Sequence, residues 1–166
     1  MRQNRTRESD YTAGAHPALP AVRRKATQAL TLYIHIPFCI QKCGYCDFNA
    51  YLYRHDIARA YLTALQQEIM HTAAKRPWMG YRVPSIYVGG GTPSTLTPES
   101  LTNLIGAIGA SFPVQANAEI TIEADPGTID LGGLEALRAG GFTRISIGVQ
   151  AFDDSLLNTV GRLHSA

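Results

Sequence analysis

The sequence predicts an α/β fold, a parallel sheet built from four strand–helix units. Three observations predict it. Short β-rich apolar runs alternate with stretches whose apolar residues recur at helical spacing. Each run ends in a loop rich in glycine, proline, cysteine or polar residues. Three of the helical stretches open on a capping residue: Thr97, Asp130 and Asp153. Such alternation implies right-handed crossovers between parallel strands. An open doubly wound sheet and a (β/α) barrel both satisfy it, and both place chemistry at the carboxyl ends of the strands.

The elements follow in order. Residues 1–28 lack apolar periodicity and read as a mobile basic leader; residues 29–166 form the folded part. Residues 29–36 are a β-rich run that Pro37 stops, since proline cannot continue a ladder. The cysteine loop comes next. Ile57, Tyr61, Ala64, Leu65, Ile69 and Ala73 mark an amphipathic helix over about 55–75. Residues 85–88 are a short apolar strand running into Gly89-Gly90-Gly91-Thr92-Pro93. Thr97-Pro98-Glu99 starts a helix with a cap, a first-turn proline and an early carboxylate. Residues 119–123 are a third strand, ended by Asp125-Pro126-Gly127. Asp130 caps a third helix, which Gly140-Gly141 terminates. Residues 144–149 are a fourth strand, and Asp153-Asp154 opens a fourth helix. Four units do not close a barrel, so the 166 residues read as the N-terminal piece of a longer protein.

Composition excludes several classes. Apolar residues make up 45% and charged residues 17%, a globular balance. No run approaches the roughly 20 apolar residues of a membrane helix, and no apolar segment resembles a secretory signal. A cytoplasmic protein without stable membrane insertion is the expectation. The net charge of +2 is uneven: residues 1–26 carry +4, leaving −2 on the remainder. A mildly acidic body gives no reason to expect nucleic acid.

The chemistry concentrates in a few residues. The three cysteines, Cys39, Cys43 and Cys46, span eight positions, too few and too clustered for a disulfide framework. A zinc site normally takes four ligands, and no fourth thiol is present. His35 lies within a strand, and His55 is nine residues past the last thiol. Three thiolates can instead hold three irons of a [4Fe–4S] cluster and leave the fourth open to a chelating ligand. Zinc and incidental buried thiols remain alternatives. Gly90, Gly91 and Thr92 offer either a close backbone approach to a ligand or a plain tight turn. No lysine follows as a phosphate loop requires. Glu123 and Asp125 are paired acids at a strand end, as ligand acceptors or as capping carboxylates. Gln150 follows the fourth strand, as a hydrogen-bonding amide or a strand terminator. Arg162, taken alone, reads as a solvated charge.

These residues, in this order, resemble the radical S-adenosylmethionine superfamily. Tyr33-Ile34-His35-Ile36-Pro37-Phe38-Cys39, then Cys43 and Tyr45-Cys46, is similar to the cluster motif of its oxygen-independent coproporphyrinogen III oxidase branch. Gly89-Gly90-Gly91-Thr92-Pro93-Ser94, Glu123-Ala124-Asp125-Pro126-Gly127 and residues 146–152 match in sequence. The resemblance implies a partial (β/α) barrel, truncated after about four units. The true oxidases carry a fourth cysteine two residues after the third, where this chain has Phe48. Cys46-Asp47-Phe48-Asn49 and Val160-Gly161-Arg162-Leu163-His164 look like the haem chaperone arm. That arm's His-Asn-x-x-Tyr-Trp segment is not found here and is expected beyond Ala166.

The resemblance implies roles as well. Cys39, Cys43 and Cys46 would ligate the cluster, and its open iron would take S-adenosylmethionine. Tyr33, Tyr45, Gly90, Gly91, Thr92, Glu123, Gln150 and Arg162 match cofactor-contacting positions. Three functions follow: a haem-binding and delivery protein, an oxidase removing propionate carboxyls from a porphyrinogen, or, outside the family, a zinc-stabilised interaction domain. The implied partners are a haem or porphyrin ligand (haem as a cofactor of the full-length parent), a haem-accepting protein and an electron donor for the cluster.

Overall fold

A computed structural model describes residues 28–75, 78 and 80–166. The basic leader lies outside these residues except for Gln28, which opens the first strand. Strand β1 is Gln28–Ile36, and two short strands follow, β2 (Phe38–Cys39) and β3 (Tyr51–Leu52). Helix α1 (His55–Ala73) leads to β4 (Tyr81–Gly90), α2 (Pro98–Ser111) and β5 (Val114–Ala124). Helix α3 (Leu131–Ala139), β6 (Arg144–Ile147) and α4 (Asp154–Thr159) complete the order.

Strands β1, β4, β5 and β6 form one parallel sheet in chain order. A doubly wound sheet reverses its order at a switch point. This one never reverses, so every right-handed crossover lands on the same face. Helix α1 packs on α2, and α2 on α3, along that face. The strand alternation explains the arrangement. Ile34, Ile36, Ile86, Val88, Ile120 and Ile122 point to the helices and meet Leu101, Leu104, Ile105 and Ile108 of α2. Residues of the opposite parity, such as Tyr33, Tyr87, Thr121 and Glu123, share the other face, and they are largely polar. The sheet is therefore a barrel wall with an apolar outside and a polar inside.

The caps form as the sequence requires. Thr97 Oγ1 accepts from the Ser100 amide, Asp130 Oδ1 from Gly133 and Asp153 Oδ1 from Leu156.

Several strand boundaries differ from the sequence reading. Strand β4 begins at Tyr81 rather than residue 85, because Pro84 sits where the register shifts instead of ending the strand. Strand β5 begins at Val114 rather than residue 119. The polar stretch from Gln115 to Asn117 is carried through the same irregularity, which pairs Val83 with Val114 but Ser85 with Glu119. Strand β6 stops at Ile147, two residues early, because Gln150 turns the chain with a left-handed φ of 69°. The parallel pair of β2 and β3 has no sequence counterpart, each being two residues long.

Candidate functional site

A cavity of about 280 Å³ opens at the carboxyl ends of the sheet strands. The cysteine loop forms one wall. It leaves β1 at Pro37 and returns at β3, where the Tyr51 amide donates to Pro37 O and the Tyr53 amide to Cys39 O. Cys39, Cys43 and Cys46 all border the cavity, and none forms a disulfide. Burial pushes the Cys39 thiol up; the Thr92 hydroxyl, 3.6 Å away, opposes this.

The glycine loop forms the second wall, and its residues are sterically required. The Gly91 amide donates to Ile36 O and the Thr92 amide to Phe38 O, stitching this loop to the start of the cysteine loop. A Cβ on Gly91 would lie 2.7 Å from Phe38 O and 2.9 Å from Cys39 Sγ. Gly90 adopts a φ of 125°, outside the range of ordinary side chains.

The acids complete the floor, and neither caps a helix. Glu123 Oε1 accepts from the Tyr87 hydroxyl at 2.7 Å, and Oε2 from the Gly90 amide at 3.0 Å. Asp125 Oδ2 accepts from the Thr92 hydroxyl at 3.0 Å. Its Oδ1 meets Arg162 Nη2 at 2.5 Å. Arg162 is not a solvated charge: its side chain is 5% exposed. It also donates to Gly148 O at 2.7 Å and to Cys43 Sγ at 3.4 Å. Burial alone would lower its pKa, but the bonds to Asp125 and Cys43 reverse the direction and raise it. Its Nε–H is buried without a hydrogen-bond partner. An orphaned donor beside a cavity is suited to an incoming acceptor.

Tyr45, Gly90, Gly91, Thr92, Glu123, Gln150 and Arg162 thus line one cavity with the three cysteines. Tyr33 is the exception. It sits behind the lining, its ring stacked at 6.0 Å and 15° on Tyr87, which in turn meets Glu123. His35 and His55 do not join the thiols: His35 Nε2 faces Asn49 O at 3.3 Å, and His55 starts α1. Among the described residues no three His, Cys, Asp or Glu side chains converge as ligands of a single ion. Sequence reasoning assigned no site role to Tyr87 or Gly148, and it offered Asp125 as ligand acceptor or cap without its pairing with Arg162. The strand alternation that puts Tyr87 on the face of Glu123 was the available signal for the first. The other two depend on where Arg162 comes to rest.

Comparison with known proteins identifies the family and the fold. The Radical SAM superfamily profile matches residues 33–166. The heme chaperone HemW of Escherichia coli is 40% identical over 136 residues, covering 81% of this chain and 35% of that protein. The oxygen-independent coproporphyrinogen III oxidase of Escherichia coli is 41% identical over 150 residues, covering 90% of this chain and 32% of that one. The solved structure of coproporphyrinogen III oxidase HemN from Escherichia coli, described as a radical SAM enzyme, superposes with a TM-score of 0.77. It is 40% identical, and the match covers 86% of this chain and 33% of that one. The chain spans about a third of the length of these relatives. Among its described residues no helix is long and apolar enough to cross a membrane. The profile match, the shared fold and the identity to two sets of relatives establish that the chain belongs to the Radical SAM superfamily.

Proposed function

We propose that the chain binds a [4Fe–4S] cluster through Cys39, Cys43 and Cys46, and S-adenosylmethionine beside it, within a cytoplasmic haem-binding and delivery protein. The observation that carries the reading is the joint lining of one cavity by three free thiols, a glycine loop, a fixed carboxylate and a buried guanidinium. The donor set fits the cluster. Each thiolate of such a site binds a different iron, so the sulfurs need to border a common space without converging on a point. A zinc ion needs ligands about 2.3 Å from one centre, and the described residues offer no such convergence.

The residues fit the second group too. Glu123 offers fixed acceptor lone pairs for ribose hydroxyls or an ammonium. The unpartnered Nε–H of Arg162 is available to a carboxylate. When bound, the cluster and S-adenosylmethionine supply one-electron, radical-generating chemistry, and the barrel wall supplies orientation and exclusion of water. Tyr33, outside the cavity lining, would act through Tyr87 rather than by direct contact.

Similarity to the oxidases is as strong as to the chaperones, so decarboxylation of coproporphyrinogen is the second reading. Phe48 favours the first. It lines the cavity, 69% exposed, where the oxidase pattern has a cysteine. Haem delivery requires an accepting protein, and cluster reduction an electron donor.

Anaerobic reconstitution tests the site: about four irons per chain and broad visible absorption are expected. Stoichiometric zinc without iron uptake would overturn it. Haem titration and an anaerobic coproporphyrinogen assay on the full-length protein separate the two functions. Haem binding without protoporphyrinogen formation is the expected result.

A further inference from the structure

We infer that Tyr87 is a positioning residue: its hydroxyl orients Glu123 for S-adenosylmethionine without itself touching the cofactor cavity. The inference rests on the reading of Glu123 given above and names the residue on which that reading depends.

The sheet register sets up the contact. Tyr87 pairs with Tyr33 on one side and Thr121 on the other, and Glu123 lies two residues beyond Thr121 on the same face. The Tyr87 hydroxyl donates to Glu123 Oε1 at 2.7 Å while the Gly90 amide donates to Oε2 at 3.0 Å. Each carboxylate oxygen can accept about two hydrogen bonds. One position on each is therefore filled from the protein, and one is left for a ligand. Glu123 borders the cavity and Tyr87 does not. Tyr87 therefore acts on a ligand there through the lining residues it meets, Glu123 at 2.7 Å and the neighbouring Ser146.

Two further contacts hold the pair. The Tyr33 ring stacks on the Tyr87 ring and restricts its swing. A Cβ at Gly89 would lie 2.8 Å from Glu123 Oε2 and 2.8 Å from Tyr87 Cε1. The pair thus packs over bare backbone, and a side chain at Gly89 would press on both of its members. A free glutamate samples several rotamers, whereas this one is fixed at both oxygens before a ligand arrives.

The experiment is a mutant cycle on the anaerobically reconstituted chain, with S-adenosylmethionine affinity measured by equilibrium dialysis. Iron content and melting temperature serve as controls. Tyr87→Phe removes only the hydroxyl. It is expected to weaken binding about tenfold, equivalent to ~1.4 kcal/mol, with iron content unchanged. Glu123→Gln is expected to weaken binding at least as much. The double variant is expected to match Glu123→Gln alone within about twofold, because the carboxylate that Tyr87 orients, with the charge that meets the ligand, is already gone. Tyr33→Leu, which loosens the stack and keeps the hydroxyl, is expected to cost about threefold, and nothing on the Glu123→Gln background. It decides the matter if Tyr87→Phe fails to hold iron. Unchanged binding in Tyr87→Phe, or losses that multiply in the double variants, would overturn the inference while leaving Glu123 in its role. Unchanged binding in Glu123→Gln would overturn the reading of Glu123 and this inference together.

Discussion

Asp125→Asn is the substitution whose effect the structure defines best. The carboxylate receives Arg162 Nη2 on one oxygen and the Thr92 hydroxyl on the other. An amide of the same shape accepts on one arm only; with its oxygen toward Arg162, its NH2 arm turns to Thr92, whose hydroxyl must then accept instead of donating. The charge opposite Arg162 also disappears. Removing one partner of a buried ion pair costs about 3–5 kcal/mol. Here the Arg162 side chain is 5% exposed but that of Asp125 is 31% exposed, and Gly148 O still accepts from the guanidinium. The loss is therefore expected nearer ~2 kcal/mol. For a chain of this size that corresponds to a melting point lower by about 4–8 °C. Urea unfolding of the cluster-free chain, followed by circular dichroism, measures it directly. Arg162→Met and the double variant complete a cycle. Each single change strands the other partner, so the double change should cost less than the two losses added together. A loss below about 0.5 kcal/mol in Asp125→Asn, or full additivity in the cycle, would show that the pair does not hold this corner of the fold.

The other expectations follow from the same geometry. Alanine at Cys39, Cys43 or Cys46 should each reduce retained iron from about four per chain to near zero, measured by iron analysis after anaerobic desalting; a variant that keeps full iron would remove that thiol from the ligand set. Gly91→Ala should destabilise by about 1–3 kcal/mol through overpacking and impair iron uptake, since its Cβ would press on Phe38 O and Cys39 Sγ; normal stability with normal uptake would contradict the fit. The hydrogen bond to Glu123, then burial, raises the pKa of Tyr87 above the ordinary tyrosine value of about 10, and the neutral phenol is favoured in the fold. Its contribution to stability is therefore full below that value and lost as pH rises through the folded pKa. The alkaline fall in stability should be shallower in Tyr87→Phe, and parallel curves for the two chains would count against the contact.

Local pattern carried the fold a long way. Helical spacing from Ile57 to Ala73 and the caps at Thr97, Asp130 and Asp153 are properties of a few neighbouring residues, and each element formed where they indicated. Where local rules misled, a tertiary partner was responsible. The strand read as beginning at residue 85 extends back through Pro84, which lacks a donor, because strands on both sides hold β4 through the irregularity. The stretch from Gln115 to Asn117 has poor strand propensity, yet it continues β5 beyond its apolar part. The cavity residues were legible as motifs at strand ends, because a barrel brings such ends together. The bonds among them were not. Whether Asp125 faces Thr92, solvent or Arg162 depends on the final path of a segment more than thirty residues later in the chain.

That distance has a consequence for biosynthesis. Gln41 Nε2 donates to Gly161 O across 120 positions, and Arg162 reaches Cys43 across 119. The thiols leave the ribosome early, while the residues that fasten their loop emerge near the end of this stretch. At about 5–20 residues per second, the delay is on the order of 6–24 seconds. During that interval the thiols are already on the nascent chain without the guanidinium that later meets them. Bringing such distant segments together carries a loop-closure cost that earlier, local folding cannot offset. If the proposed cluster needs the fastened loop, its insertion is expected only after the chain has been made at least to Arg162, and slowing translation between Cys46 and Arg162 would then lengthen the period in which the thiols stand open to oxidation.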